Sequence, residues 1–182
     1  MLVENDMEFI RVNRGNKTNE ATITFFDDAN GILSGRYFVY KFRLPQGADA
    51  QFSKWEFYTG TEHTMYNENN EITIGSENYI ADCLDLADGE WHVVVIDLEA
   101  YGKTDSFKAS DDGNYYAKYL RFDVFNGGGN PEAIMDLAYI GMHNSLDEIF
   151  AYNSDMSEIA ICSGNNGYTL VNPQTGEAIA TE

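Results

Sequence analysis

Apolar and polar residues alternate with period two along most of this chain, the spacing of strands with one covered face. Residues 7–12 (MEFIRV), 21–26 (ATITFF), 37–44 (YFVYKFRL), 52–59 (FSKWEFYT), 71–75 (EITIG), 115–125 (YYAKYLRFDVF) and 134–142 (IMDLAYIGM) each read as a strand. Turn residues separate them: Pro45 ends one strand by removing a ladder donor, and Gly127-Gly128-Gly129-Asn130-Pro131 is a strong breaker. The most strongly specified stretch is 88–98 (DGEWHVVVIDL), where a turn leads into a β-branched run that is stiff at χ1 and suits a pleated surface. It predicts a central strand around which the rest packs.

Residues 78–86 are compatible with strand or loop, and 99–114 read as a long functional or edge-covering loop. Two short strands, 158–162 and 168–171, close the fold. The pattern changes to a helical one at 145–152 (SLDEIFAY), with Ser145 at the N-cap and acids in the first turn. About nine short strands and a single short helix predict an all-β chain, an antiparallel β-sandwich of the jelly-roll kind, spanning 1–172 with a tail at 173–182.

Alternation also assigns faces. Phe38, Tyr40 and Phe42 are expected on the core side, with Val39, Lys41 and Arg43 outward. Trp55 and Phe57 oppose Lys54, Glu56 and Tyr58, while Leu120, Phe122 and Val124 oppose Arg121, Asp123 and Phe125. In the central strand Val94, Ile96 and Leu98 face the core, and Val93, Val95 and Asp97 lie opposite, beside Arg121 and Asp123 if those strands adjoin. Trp55 and Trp91 read as core anchors, since large aromatics at such positions are mostly buried.

Composition narrows the partners. Thirty acidic against 11 basic residues give a formal net charge of −19, which repels nucleic-acid phosphates and anionic lipid. Most of these carboxylates are expected to form a solvated surface. No apolar run approaches the roughly 18 residues of a membrane span, and residues 1–8 lack the basic and apolar regions of a signal peptide. Cys83 and Cys162 permit one disulfide without requiring it.

Motifs for catalysis are missing: no metalloprotease helix, nucleophile elbow, phosphate loop or paired CxxC occurs, and His63, His92 and His143 stand singly. Asp111-Asp112-Gly113-Asn114 and Asp82, Asp85 and Asp88 offer oxygen ligands for a structural calcium ion, with Glu4, Glu8 or Asp136 as distant contributors; the alternative is that these acids cap turns. The outward faces carry more information. Glu56, Tyr58, Arg121 and Asp123, with Tyr66 in a nearby loop, combine charged groups with aromatic rings, the means by which proteins hold sugar hydroxyls and stack on a ring face. A solvated sheet laced with cross-strand pairs such as Lys41–Glu56 is the competing explanation. Glu56 with Asp123 has the residue types for glycoside hydrolysis, but spacing along the chain does not fix their separation, and a noncatalytic role is expected.

The stretches 88–98, 119–126 (YLRFDVFN) and 134–152 (IMDLAYIGMHNSLDEIFAY), with MEFIRV and YFVYKFRLP before them, resemble a β-sandwich module of large secreted proteins from gut and rumen Clostridia. Those modules look like jelly-roll carbohydrate-binding modules and accompany glycoside hydrolase, dockerin or cell-surface domains. The DGEWH start also resembles laminin-G-like sandwiches, which the later motifs fit poorly. The resemblance implies a noncatalytic polysaccharide-binding module, exported to the cell surface or medium, joined to other domains and often carrying a structural calcium ion. It transfers no ligand residue. The alternative role is protein–protein adhesion or a structural spacer.

Overall fold

The computed structural model describes residues 1–13, 21–26, 33–46, 54–58, 71–75, 87–101, 115–117, 119–125, 134–163 and 168–179; for 21–26, 33, 54–58, 71–75, 101, 115–117 and 119–125 it describes backbone alone. The chain is mostly β. The strands are β1 (Leu2–Glu4), β2 (Met7–Asn13), β3 (Ala21–Phe26), β4 (Leu33–Gly35), β5 (Tyr37–Arg43), β6 (Lys54–Tyr58), β7 (Glu71–Gly75), β8 (Trp91–Asp97), β9 (Tyr115–Ala117), β10 (Tyr119–Phe125), β11 (Ile134–His143), β12 (Ile159–Cys162) and β13 (Thr169–Val171). Among the described residues two short helices accompany them, α1 (Leu98–Tyr101) and α2 (Leu146–Tyr152).

Seven strands form one sheet in the order β1-β2-β11-β5-β8-β12-β13; four form a second, β3-β10-β6-β7, and β4 pairs with β9. The large sheet is mixed, which corrects the expectation of purely antiparallel pairing: β12 runs parallel to β8, with Ala160 opposite Val94 and Cys162 opposite Ile96. The stretch 88–98 is central as expected, lying between β5 and β12. Its last residue instead opens α1, and 115–125 divides into β9 and β10, which join different sheets.

One face of the large sheet follows the alternation rule. Phe38, Tyr40, Phe42, Val94, Ile96, Met135 and Leu137 are all buried, and Tyr40 rings against Phe38 and Phe42 at centroid distances of 5.8 and 5.5 Å. The opposite face departs from it. Val39, Val93 and Val95 are also fully buried, packed with Ile159 and with Ile149 of α2. A sheet face expected to meet solvent is covered because β11 turns into a helix that folds back over it. Leu146, Ile149 and Phe150 provide the apolar stripe at i, i+3 and i+4. Continuous burial in β5 and β8 is the pattern of strands sandwiched on both faces.

The helix starts where its sequence says it should. Ser145 is the N-cap, its Oγ accepting the Glu148 N–H at 3.3 Å, and Glu148 Oε2 in turn accepts the Asn144 N–H at 3.2 Å. Asn153 closes the other end, donating both its backbone N–H and its Nδ2 to the Ile149 carbonyl at 3.0 and 2.9 Å. Beyond Pro173 the chain turns back, Ala178 bridges Val171, and Ile179 N donates to Leu170 O at 2.8 Å.

Candidate functional site: the polar face of the four-stranded sheet

Strand register decides which sequence candidates come together. In β10 and β6, Arg121 lies opposite Glu56, Asp123 opposite Lys54 and Tyr119 opposite Tyr58. Directly opposed residues of an antiparallel pair occupy the same face, and so do alternate residues along each strand. Glu56, Tyr58, Arg121 and Asp123 therefore share one face of one sheet. The neighbouring strands extend the set: Thr24 and Thr22 oppose Arg121 and Asp123 on one side, while Thr73 and Glu71 oppose Glu56 and Tyr58 on the other. The alternate positions are apolar throughout, with Phe122 between Ile23 and Trp55, and Leu120 between Phe25 and Phe57. Tyr66 lies outside the described residues, as do Asp82, Asp85 and the 111–114 turn.

Lys41, Arg43 and Asp97 do not belong to this face. Their strands sit in the seven-stranded sheet, where Lys41 opposes Tyr139 and Val93, so the proposed Lys41–Glu56 cross-strand pair does not form. Val93 and Val95 likewise lie under α2 rather than beside Arg121 and Asp123.

The charged groups of the large sheet have partners of their own. Asp136, its side chain only 4% exposed, receives Arg11 Nε at 2.6 Å and Nη2 at 2.8 Å, and Arg43 Nε at 3.1 Å and Nη2 at 2.8 Å. Arg43 Nη2 also donates to Glu4 Oε2 at 2.7 Å. Burial works to raise the Asp136 pKa, but the hydrogen bonds and charges of the two arginines outweigh it and hold the carboxyl below its ordinary value. The same guanidinium of Arg43 lies 4.7 Å over the half-buried Trp91 ring and 5.5 Å from Phe9, and those two rings meet edge to face at 5.5 Å. Trp91 is therefore not the core residue expected from sequence: it is half-buried, held between the Arg43 guanidinium and the Phe9 ring. Arg36 grips Asp97 through Nε at 3.1 Å and Nη2 at 2.8 Å, and reaches Glu99 at 2.7 Å.

These pairings bear on the calcium candidates. Glu4 and Asp136 are held by arginines, and Asp88 accepts the Glu90 N–H and bonds His92 Nε2, both at 2.9 Å. The Asp88 turn is of the Asx type that the sequence offered as the alternative. Among the described residues no three His, Cys, Asp or Glu side chains converge as metal ligands. Burial pushes the Cys162 thiol up to about 12; Cys83 lies outside the described residues.

Two features carried no usable sequence signal. Arg11 and Asp136 are 125 residues apart, and nothing local marks them as partners. A groove of about 370 Å³ opens where β2 leaves β11 beyond the Ile10–Leu137 pair, lined by Glu8, Phe9, Ile10, Leu137, Tyr139 and Ile140 among others. Beside it β11 carries a local irregularity between Leu137 and Tyr139 in its pairing with β5, which alternation does not reveal. Compared with protein-family models, with curated proteins and with solved structures, the chain gives no match.

Proposed function

We propose that the chain is a noncatalytic carbohydrate-binding module of a secreted or surface-attached protein, reading glycan on the polar face of its four-stranded sheet. The observation that carries this is the register: it collects Glu56, Tyr58, Arg121 and Asp123, positions 65 residues apart in the case of Glu56 and Arg121, on one face with a flank of threonines. Hydroxyls of a sugar need donors and acceptors close together, and charged groups supply the stronger hydrogen bonds. The apolar positions of the same sheet, Ile23, Phe25, Trp55, Phe57, Leu120 and Phe122, need burial, and the aromatic face of the seven-stranded sheet is buried. We infer that the two close on one another as a β-sandwich, leaving the polar face free. Attached to other domains, such a module raises their effective concentration on polysaccharide.

Native electrophoresis through gels containing plant, mucin or microbial polysaccharides tests the reading. The chain is expected to be retarded by at least one of them, and Arg121→Ala or Tyr58→Ala to reduce the retardation while the melting temperature stays unchanged. Migration unaffected by every polysaccharide would sink it.

A second reading, protein–protein adhesion, is favoured by β1. This strand lies at the margin of the large sheet among the described residues, and its Val3 is 65% exposed beside an exposed Leu2 and Ile10. An apolar margin strand is a template for strand addition. Sedimentation equilibrium would then show association that Val3→Lys abolishes; a monomer at all concentrations and no pull-down of a partner would dismiss this reading.

A further inference from the structure

The turn that follows α2 is built more firmly than a surface connection requires. Met156 N donates to Asn153 O at 3.0 Å, and Gln174 Nε2 reaches across from the C-terminal hairpin to the carbonyls of Ser154 at 2.6 Å and Met156 at 2.8 Å. Asn153 itself is buried and holds the last helical carbonyl. Two side chains stand at this frame. Tyr152 is 62% exposed and rests on Tyr139, ring centroids 4.9 Å apart and planes inclined by 35°. Asp155, 74% exposed, stands 3.8 Å from the ammonium of Lys41, whose side chain is 10% exposed.

Each has an unused capacity. The Tyr152 ring is backed by a second ring that is itself locked: Tyr139 lies over Gly141, where a Cβ would run into it, and its hydroxyl meets His143 Nε2 at 2.6 Å. An aromatic face held in this way loses little freedom when a ligand stacks on it. The Lys41 ammonium has three donors, and 3.8 Å is too long for a hydrogen bond to Asp155. The Lys41 stem is buried while its ammonium stands at the surface beside Asp155, where a ligand oxygen can accept one of its donors.

We propose that Tyr152, Asp155 and Lys41 form a second glycan contact, a platform for one neutral pyranose ring whose hydroxyls complete the Lys41–Asp155 pair. The ligand class rests on the function proposed above; the location does not. Neutrality follows from charge: Lys41 and Asp155 cancel, and a protein of net charge −19 repels a polyanionic chain. Two contacts on one module would bind a polysaccharide more tightly than either alone, provided one chain or two neighbouring chains can reach both.

Titration of the isotopically labelled chain with cellohexaose, xylohexaose and mannohexaose, followed by amide chemical shifts, tests this. At least one oligosaccharide is expected to move the signals of residues 152–156 and Lys41. Tyr152→Ala should weaken that binding at least tenfold without lowering the melting temperature, and Tyr152→Phe should retain it. Asp155→Ala, at an exposed position, should weaken it as well and serves if Tyr152→Ala disturbs the fold. Shifts confined to 54–58 and 119–125, with both variants titrating like the parent, would overturn the second contact while leaving the four-stranded site standing. No shift with any of the three oligosaccharides, alongside retardation in polysaccharide gels that Tyr152→Ala does not alter, overturns it equally. Silence in both assays removes both proposals.

Discussion

Asp136→Ala is expected to destabilise the protein by roughly 3 kcal/mol, the lower end of what breaking a buried ion pair costs. Arg43 is left largely enclosed at 17% exposure, while Arg11, 45% exposed, can turn to water. Asp136 is the hub of that network: it accepts four hydrogen bonds from Arg11 and Arg43, and those arginines tie β2 and β5 to β11 between them. Without the carboxylate the two guanidinium groups face each other with only Glu4 on Arg43 to offset them. Urea unfolding measures the effect, and a loss below about 1 kcal/mol would show that the network is solvated and of little consequence, as surface pairs are. The same hub predicts a pH dependence. Its folded pKa lies below the ordinary carboxyl value, so its stabilisation is complete above about pH 4 and is lost as pH falls through the folded pKa. Stability of the parent should therefore decline on acidification below about pH 4, and that of Asp136→Asn should decline less steeply.

Gly35→Ala is expected to cost about 3 kcal/mol, the upper end of what overpacking exacts, because nothing nearby can give way. A Cβ at Gly35 would sit 2.6 Å from the carbonyl oxygen of His143 and 2.8 Å from its backbone carbon and nitrogen. Those atoms belong to the end of β11, which pairs there with Tyr37 and leads directly into α2. Relief requires moving the strand and, with it, the helix start. Gly176→Ala is the useful contrast. Gly176 has φ +72° but only the Phe150 ring at 3.7 Å, so its cost is the conformational one of roughly 1 kcal/mol. Thermal unfolding of both variants should rank Gly35→Ala as the more damaging by several degrees, and equal melting temperatures would contradict the close approach.

Period two found the strands because each strand's local chemistry is self-sufficient: MEFIRV, ATITFF and EITIG contain all the information needed to extend the chain. The helix was legible for a similar reason, since Ser145 and Glu148 write their capping into four consecutive residues. What alternation could not supply was the identity of the neighbour. Val93 and Val95 read as outward-facing only for a sheet covered on one side, and the unbroken apolar run from Val93 to Ile96 is the mark of a strand covered on both faces. Lys41 reads as a solvated charge on the same basis and is buried under the turn after α2. For the candidate site, the shared face of Glu56 and Tyr58 was contained in one strand, and that of Arg121 and Asp123 in another. Their conjunction depended on register, which is set by partners 65 residues away. Tyr152 had a faint signal: it falls off the Leu146–Ile149–Phe150 stripe, so an aromatic ring at that position had no place in the helix's buried face.

The parallel pairing of β12 with β8 has a kinetic side. Strands that neighbour each other in space here are separated by more than sixty residues of chain, since Val94 meets Ala160, and the other side of β8 is already satisfied by β5. Such a pair must close a long loop before it returns any energy, which makes it a late event in folding and raises the average separation of contacts that governs the rate. During synthesis β8 emerges with one edge paired and the other bare until β12, about sixty residues later, has followed. A ribosome stalled at residue 155 would hold a sheet whose most apolar strand still lacks its second neighbour, the state in which edge-to-edge aggregation competes with folding.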